Sequence, residues 1–169
     1  GGVYARYEGE PVFNHVTVME NSSGQGGGMR FRDDANPTIS NCTIKWNTAS
    51  GKGGGIYCNN SDPEFFYSLI TGNYAVDGGD AVYLKINCNP LFTNTTIEFN
   101  GSSESNSSSG IYCITNSHPQ FISSIIWGNV GSQIEFSSAS NSNFITISYC
   151  DLENGQEGIV TNNNGSINW

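Results

Sequence analysis

The sequence predicts an all-β solenoid, a parallel β-helix of about six coils, each 26–29 residues long and holding three short strands. Two observations carry this reading. Prolines recur at Pro11, Pro37, Pro63, Pro90 and Pro119, with spacings of 26, 26, 27 and 29 residues, and ten residues after each stands an asparagine: Asn21, Asn47, Asn73, Asn100 and Asn129. Between these markers the apolar residues fall into columns. A unit this small cannot bury its own apolar face, so the copies must stack, like residue on like, with each backbone paired to the coils above and below.

The elements follow in order within a coil. Val3, Met29, Ile56, Val82 and Ile111 form one column, and Ala5, Phe31, Cys58, Leu84 and Cys113 form the next, two residues on. A spacing of two places both on one face of a short strand. After the proline, Phe13, Ile39, Phe65, Phe92 and Phe121 open a second strand. Val16, Cys42, Ser68, Thr95 and Ser124 follow three residues later, and Val18, Ile44, Ile70, Ile97 and Ile126 two after that. A step of three cannot stay on one face of a straight strand, so the chain must bend there. Gly-rich corners supply positive φ and tight turns, and Asn tolerates the left-handed conformation. Two degenerate copies continue the series. Ile147–Leu152 overlays Ile39–Ile44, Ile134-Glu135-Phe136 overlays the strand before the proline, and a last strand is expected near Ile159. The insertion Gly101–Gly110 reads as a solvent loop.

Composition narrows function. Only six Lys and Arg stand against a formal charge of −9, which argues against a nucleic-acid partner, because phosphate binding needs clustered cations. No apolar run approaches the ~20 residues of a membrane span. The chain opens at Gly1-Gly2-Val3 without a signal peptide and stops after Trp169 with no cap at either end. Residues 1–169 are therefore expected to be a single β-helix domain that is either a segment of a longer solenoid or a subunit associating end to end. Cys42 and Cys150 share a column four coils apart, and Cys58 and Cys113 another two coils apart. At ~4.8 Å per coil even the closer pair exceeds the ~7 Å limit for a disulfide. The five cysteines read as small ladder residues.

The segments Gly53–Cys58 ("GGGIYC"), Asn36–Ile44 ("NPTISNCTI") and the C-terminal "SYCDLENGQEG" and "GSINW" resemble the right-handed β-helix repeats of secreted or cell-surface bacterial proteins, within the pectate-lyase-like superfold. The resemblance implies right-handed winding and an extracellular or cell-surface location. It leaves function open, since that superfold hosts lyases, hydrolases, adhesins and spacers.

A polysaccharide lyase on this fold would need a cationic base beside an acidic Ca²⁺ site. Arg30 and Arg32 are the candidates for the base, and Glu8, Asp33 and Asp34 for the metal, within an acidic corner that also holds Glu10, Asp62 and Glu64. Glu8 and Asp34 stand at the same offset before their prolines and would stack one coil apart; carboxylates are suitable ligands for a hard cation. A polygalacturonase-like hydrolase would call for further motifs, and only Asp33-Asp34 matches. His15 and His118 have no nucleophile beside them. The outward column of the first strand holds Tyr4, Arg30, Tyr57, Tyr83, Tyr112 and Glu135. Stacked one coil apart, these residues would form an exposed ladder able to bind a polysaccharide or cell-surface glycan, or would serve only as cross-strand stacking. The column Thr17, Thr43, Leu69, Thr96, Ile125, Asp151 is too broken for the flat threonine array of an ice binder. Seven Asn-x-Ser/Thr sequons (Asn21, Asn41, Asn59, Asn94, Asn100, Asn106, Asn164) reflect composition and matter only in a glycosylating host. The sequence thus favours a structural, adhesive or glycan-binding module without catalysis or cofactor, over a Ca²⁺-dependent lyase.

Overall fold

A computed structural model describes residues 1–102, 109–138 and 143–169. The chain winds as a β-solenoid whose strands all pair in parallel. One seven-stranded sheet holds Val3–Arg6, Met29–Arg32, Ile56–Asn59, Val82–Leu84, Ser109–Cys113, Ser132–Phe136 and Ile159–Val160. A second holds Val12–Asn14, Thr38–Ser40, Glu64–Phe66, Leu91–Thr93, Gln120–Ile122, Asn143–Ser148 and Gly165–Asn168. A third runs from Thr17–Met19 through Thr43–Lys45, Leu69–Thr71, Thr96–Glu98 and Ile125–Trp127 to Asp151–Leu152. The register matches the columns: Val3 pairs with Met29, Phe65 with Phe92, and Ile70 with Ile97. Inside, Phe65, Phe92 and Phe121 stack with ring centroids 4.8 Å apart, one coil spacing. The expected solvent loop at Gly101–Gly110 and the sequon at Asn106 fall largely or wholly outside the described residues. No helix among the described residues is long and apolar enough to cross a membrane.

The structure adds a fourth, short sheet in the first three coils, Ser22–Gln25, Thr48–Lys52 and Tyr74–Ala75. These coils therefore carry four strands rather than three. The three-residue step between the second and third sheets is a left-handed corner, as the odd spacing requires. Its residues are His15 (φ 56°), Asn41 (53°), Tyr67 (49°), Asn94 (49°), Ser123 (50°) and Tyr149 (56°). None is glycine: Asn41 and Asn94 take the left-handed conformation as expected of asparagine, and His15, Tyr67, Ser123 and Tyr149 adopt it as well. The corner is held from inside: the residue after it carries a hydroxyl or thiol that accepts the backbone N–H of its counterpart one coil back. Cys42 N–H donates to Ser68 Oγ (3.2 Å), Thr95 N–H to Ser124 Oγ (3.1 Å) and Ser124 N–H to Cys150 Sγ (3.4 Å). All five cysteines are free thiols, and two of them serve this ladder rather than acting as plain apolar filler.

Of the asparagines that mark the repeat, Asn47, Asn73, Asn100 and Asn129 are buried and Asn21, in the first coil, is partly so. Asn47, Asn73 and Asn100 are wholly inaccessible. The Nδ2 of Asn73 donates to Ile44 O (2.9 Å), to Thr71 O (3.1 Å) and to Asn100 Oδ1 (2.9 Å), while its Oδ1 accepts from both Nδ2 (2.9 Å) and the backbone N–H (3.0 Å) of Asn47. The same pattern runs from Asn21 to Asn129. Gln133 then takes the place of the next asparagine, accepting from Asn129 Nδ2 at 2.7 Å and donating to Glu153 Oε2 at 2.7 Å. Two sequons, Asn21 and Asn100, are thereby rungs of this ladder.

Removing one rung leaves buried donors and acceptors without partners, at about 1–3 kcal/mol for each group. Asn73→Ala is expected to destabilise the chain by about 3 kcal/mol in urea-induced unfolding followed by circular dichroism, whereas Asn41→Ala, on an exposed corner, is expected to change it by less than about 1 kcal/mol.

Candidate functional site

The residues singled out from the sequence lie on the outer surface of the first sheet and on the corner that follows it. The ladder forms in register: Tyr4 pairs with Arg30, Arg30 with Tyr57, Tyr57 with Tyr83, Tyr83 with Tyr112, and Tyr112 with Glu135. Tyr57 and Tyr83 stack at 5.7 Å with ring planes within 4°, and Tyr83 and Tyr112 at 5.4 Å within 15°.

Exposure is where the expectation is corrected. Tyr57 and Tyr83 are each only 2 % exposed and Tyr112 is half-buried, so these tyrosines do not offer free ring faces to a sugar. Each ring is covered above and below by its neighbours in the column. From the side, the chain turns back just before each strand through Gly53 (φ 70°) and Gly79 (φ 64°), packing the backbone against the base of the tyrosine. A Cβ at Gly53 would stand 3.0 Å from the Cβ of Tyr57, and one at Gly79 would stand 2.9 Å from that of Tyr83. Lys52 closes over the Tyr83 ring, its Nζ 5.2 Å from the centroid. Burial pushes both phenols up to about 12.

Arg30, the first candidate base, is part of the same stack. Its guanidinium lies between the rings of Tyr4 (5.4 Å) and Tyr57 (5.5 Å), a cation–π sandwich. The Nε atoms of Arg30 and of Arg32 are both buried. Arg30 also lines a cleft of about 180 Å³ with Gly1, Val3, Tyr4, Ser23, Gln25 and Gly26, where its guanidinium is held between the two rings.

The acidic corner separates into independent contacts. Asp33 accepts from Arg6 Nε at 2.5 Å, and this bond holds its carboxyl below the usual carboxylate range. Asp34 Oδ1 accepts from Asn60 Nδ2 (2.9 Å), and Asp62 Oδ1 from the backbone N–H of Asn89 (2.6 Å). The backbone N–H of exposed Glu8 donates to Asp33 O at 3.2 Å, which does place the Glu8 coil on the Asp33 coil as the offset predicts. Among the described residues, no group of three or more His, Cys, Asp or Glu side chains converges as a metal site. Glu8, Asp33 and Asp34 do not form one, because two of the three carboxyls face other partners. Glu10, Asp62 and Glu64 line a groove of about 310 Å³ with Val12, Asn36 and Thr38. His15 is exposed on its corner, and His118 packs edge-on against Phe144 at 6.0 Å.

Two features escaped the sequence reading. Asp80 occupies the position that Gly27 and Gly54 hold in the coils before it, where a Cβ would clash with the backbone of Thr48 or Tyr74. It is wholly buried, its Oδ1 accepts from Ala75 N–H (2.7 Å), and burial raises its carboxyl to about 6. The second feature is a line of exposed aromatics beside the third sheet: Trp46 (54 % exposed), Phe99 (61 %) and Trp127 (42 %). A hint lay in the alternation Trp46, Gly72, Phe99, Gly128 immediately before the repeat asparagines.

The raised carboxyl of Asp80 sets a pH dependence. The folded chain holds this proton more tightly than the unfolded chain, so the associated stability is complete below the ordinary carboxylate range and lost as pH rises through about 6. Asp80→Asn keeps the Oδ1 acceptor and removes that loss. It is expected to stabilise the chain on the order of 2 kcal/mol at pH 8 and by little at pH 4, read from urea unfolding at the two pH values.

No curated protein and no solved structure matches the chain. Residues 1–103, more than half of the chain, match the family model for a right-handed β-helix region. With the parallel coils, the in-register columns and this match together, the chain belongs to the right-handed β-helix family.

Proposed function

We propose that the chain is a rigid, non-catalytic β-helix module of an extracellular or cell-surface protein, serving adhesion through contacts with polysaccharide. The observation that carries this reading is the sandwiching of Arg30 between Tyr4 and Tyr57. A base must come within hydrogen-bond reach of the proton it removes, and this guanidinium is held by aromatic faces. The carboxyls around it support the same reading, since Asp33, Asp34 and Asp62 each accept from a neighbouring side chain or backbone N–H. A parallel solenoid also fixes outward side chains in rows at one coil spacing, ~4.8 Å, which suits recognition of a polymer with a regular repeat.

The competing Ca²⁺-dependent lyase makes a different demand on the same residues. With acidic polysaccharides and Ca²⁺, the chain is expected to generate no unsaturated-product absorbance, while co-sedimenting with at least one insoluble polysaccharide. Tyr83→Ala is expected to lower stability by about 3 kcal/mol without weakening that binding. Product formation abolished by Arg30→Ala, or absence of binding across the polysaccharide panel, would overturn the proposal.

A further inference from the structure

The corner after the third sheet is Glu20 in the first coil, and from the second coil to the fifth it alternates between a large aromatic and a glycine, all in the left-handed conformation: Trp46 (φ 54°), Gly72 (62°), Phe99 (50°) and Gly128 (63°). The alternation has a packing cause. A Cβ on Gly72 would stand 2.5 Å from Trp46 Cδ1, and one on Gly128 would stand 2.6 Å from Phe99 Cε1. Each ring thus fills the space beside the bare Cα of the next coil, which fixes its orientation. Positive φ at a bulky residue is costly, yet burial does not repay it here, for more than half of each ring-bearing residue remains exposed. Two rings, rigidly seated and open to solvent, therefore stand two coils apart, about 10 Å along the solenoid axis.

Their surroundings have the mixed character of a sugar site. The outward positions just before the corner are Lys45, Thr71, Glu98 and Trp127, in register one per coil. They place donors and acceptors for hydroxyl groups between the rings and add a third exposed aromatic beside Phe99. Lys45 Nζ lies 4.2 Å from the Trp46 ring centroid, an exposed contact worth only about 0.5–1 kcal/mol and readily exchanged for a ligand. The strip carries both signs of charge, and the chain as a whole carries −9. That field opposes a polyanion and not an uncharged chain.

We propose that Trp46, Phe99 and Trp127 form the binding platform for a neutral polysaccharide, which lies along the solenoid axis with alternate sugar rings stacked on Trp46 and Phe99. This rests on the adhesive reading above and moves the contact from the tyrosine ladder to the third-sheet corner.

The test uses the whole chain with soluble oligosaccharides of glucan, mannan and xylan, with polygalacturonate as the acidic comparison, and reads affinity by titration calorimetry. Trp46→Ala and Phe99→Ala are each expected to weaken neutral-glycan binding at least about tenfold, with unchanged circular dichroism. Tyr149→Ala, which removes a still more exposed aromatic (92 %) on the other corner, is expected to leave it unchanged. Trp46→Phe, which keeps a ring on Gly72, is expected to retain most of the affinity. If no polysaccharide binds the unaltered chain, the adhesive reading fails as well. Binding that survives both alanine substitutions, or that is confined to polygalacturonate, overturns the platform alone. So does concentration-dependent self-association abolished by Trp46→Ala, which would assign the rings to a second copy of the chain.

Discussion

The buried asparagine ladder is the constraint on which the rest of the structure depends. A solenoid interior offers each coil only a thin slice of apolar core, and that slice resists sliding or slipping register only weakly. Asn47, Asn73 and Asn100 remove that freedom. Each amide bonds the coil after it and the backbone of the coil before it, with no access to water. A polar chain in a low-dielectric interior is stable only when every member is satisfied, so one misplaced coil would orphan several groups at once. At the far end Glu153 accepts from both Gln133 Nε2 and Gly128 N–H, ending the ladder on a carboxylate rather than on an unpaired amide.

Fixing the corners fixes what each outward row can do. In the first sheet the row is self-complementary: tyrosines stack on tyrosines and on Arg30, and the doubled-back chain seals them from the side. That arrangement strengthens the sheet and withdraws Tyr57 and Tyr83 from solution. At the third-sheet corner the row alternates large with absent side chains, so the rings cannot stack on one another and remain open. The same coil spacing thus gives a closed ladder on one flank and an open one on the other, and the difference lies in the glycines.

Much of this was legible in the sequence. The five prolines and their asparagines fixed the period, and the two- and three-residue steps located strands and a bend in the positions where they occur. The buried state of the asparagines was not legible, because an Asn in a turn and an Asn facing inward from a turn have the same spacing. Tyr57 and Tyr83 misled for a related reason. Alternation tells which face of a strand a residue occupies, but not whether another part of the chain lies over that face, and here the turns at Gly53 and Gly79 do. The left-handed Trp46 and Phe99 run against residue preference altogether, and only the glycine one coil later shows what accommodates them.

Amide hydrogen exchange tests the ladder most directly. The backbone N–H groups of Asn47, Asn73 and Asn100 each donate to the side-chain oxygen of the next rung, at 3.0, 3.0 and 3.1 Å. If the ladder locks the coils together, these three amides exchange only through the largest unfolding event of the chain and share one opening free energy. Exchange at the rate of the exposed turn around Gln156 and Glu157, or three unrelated opening energies, would contradict the account.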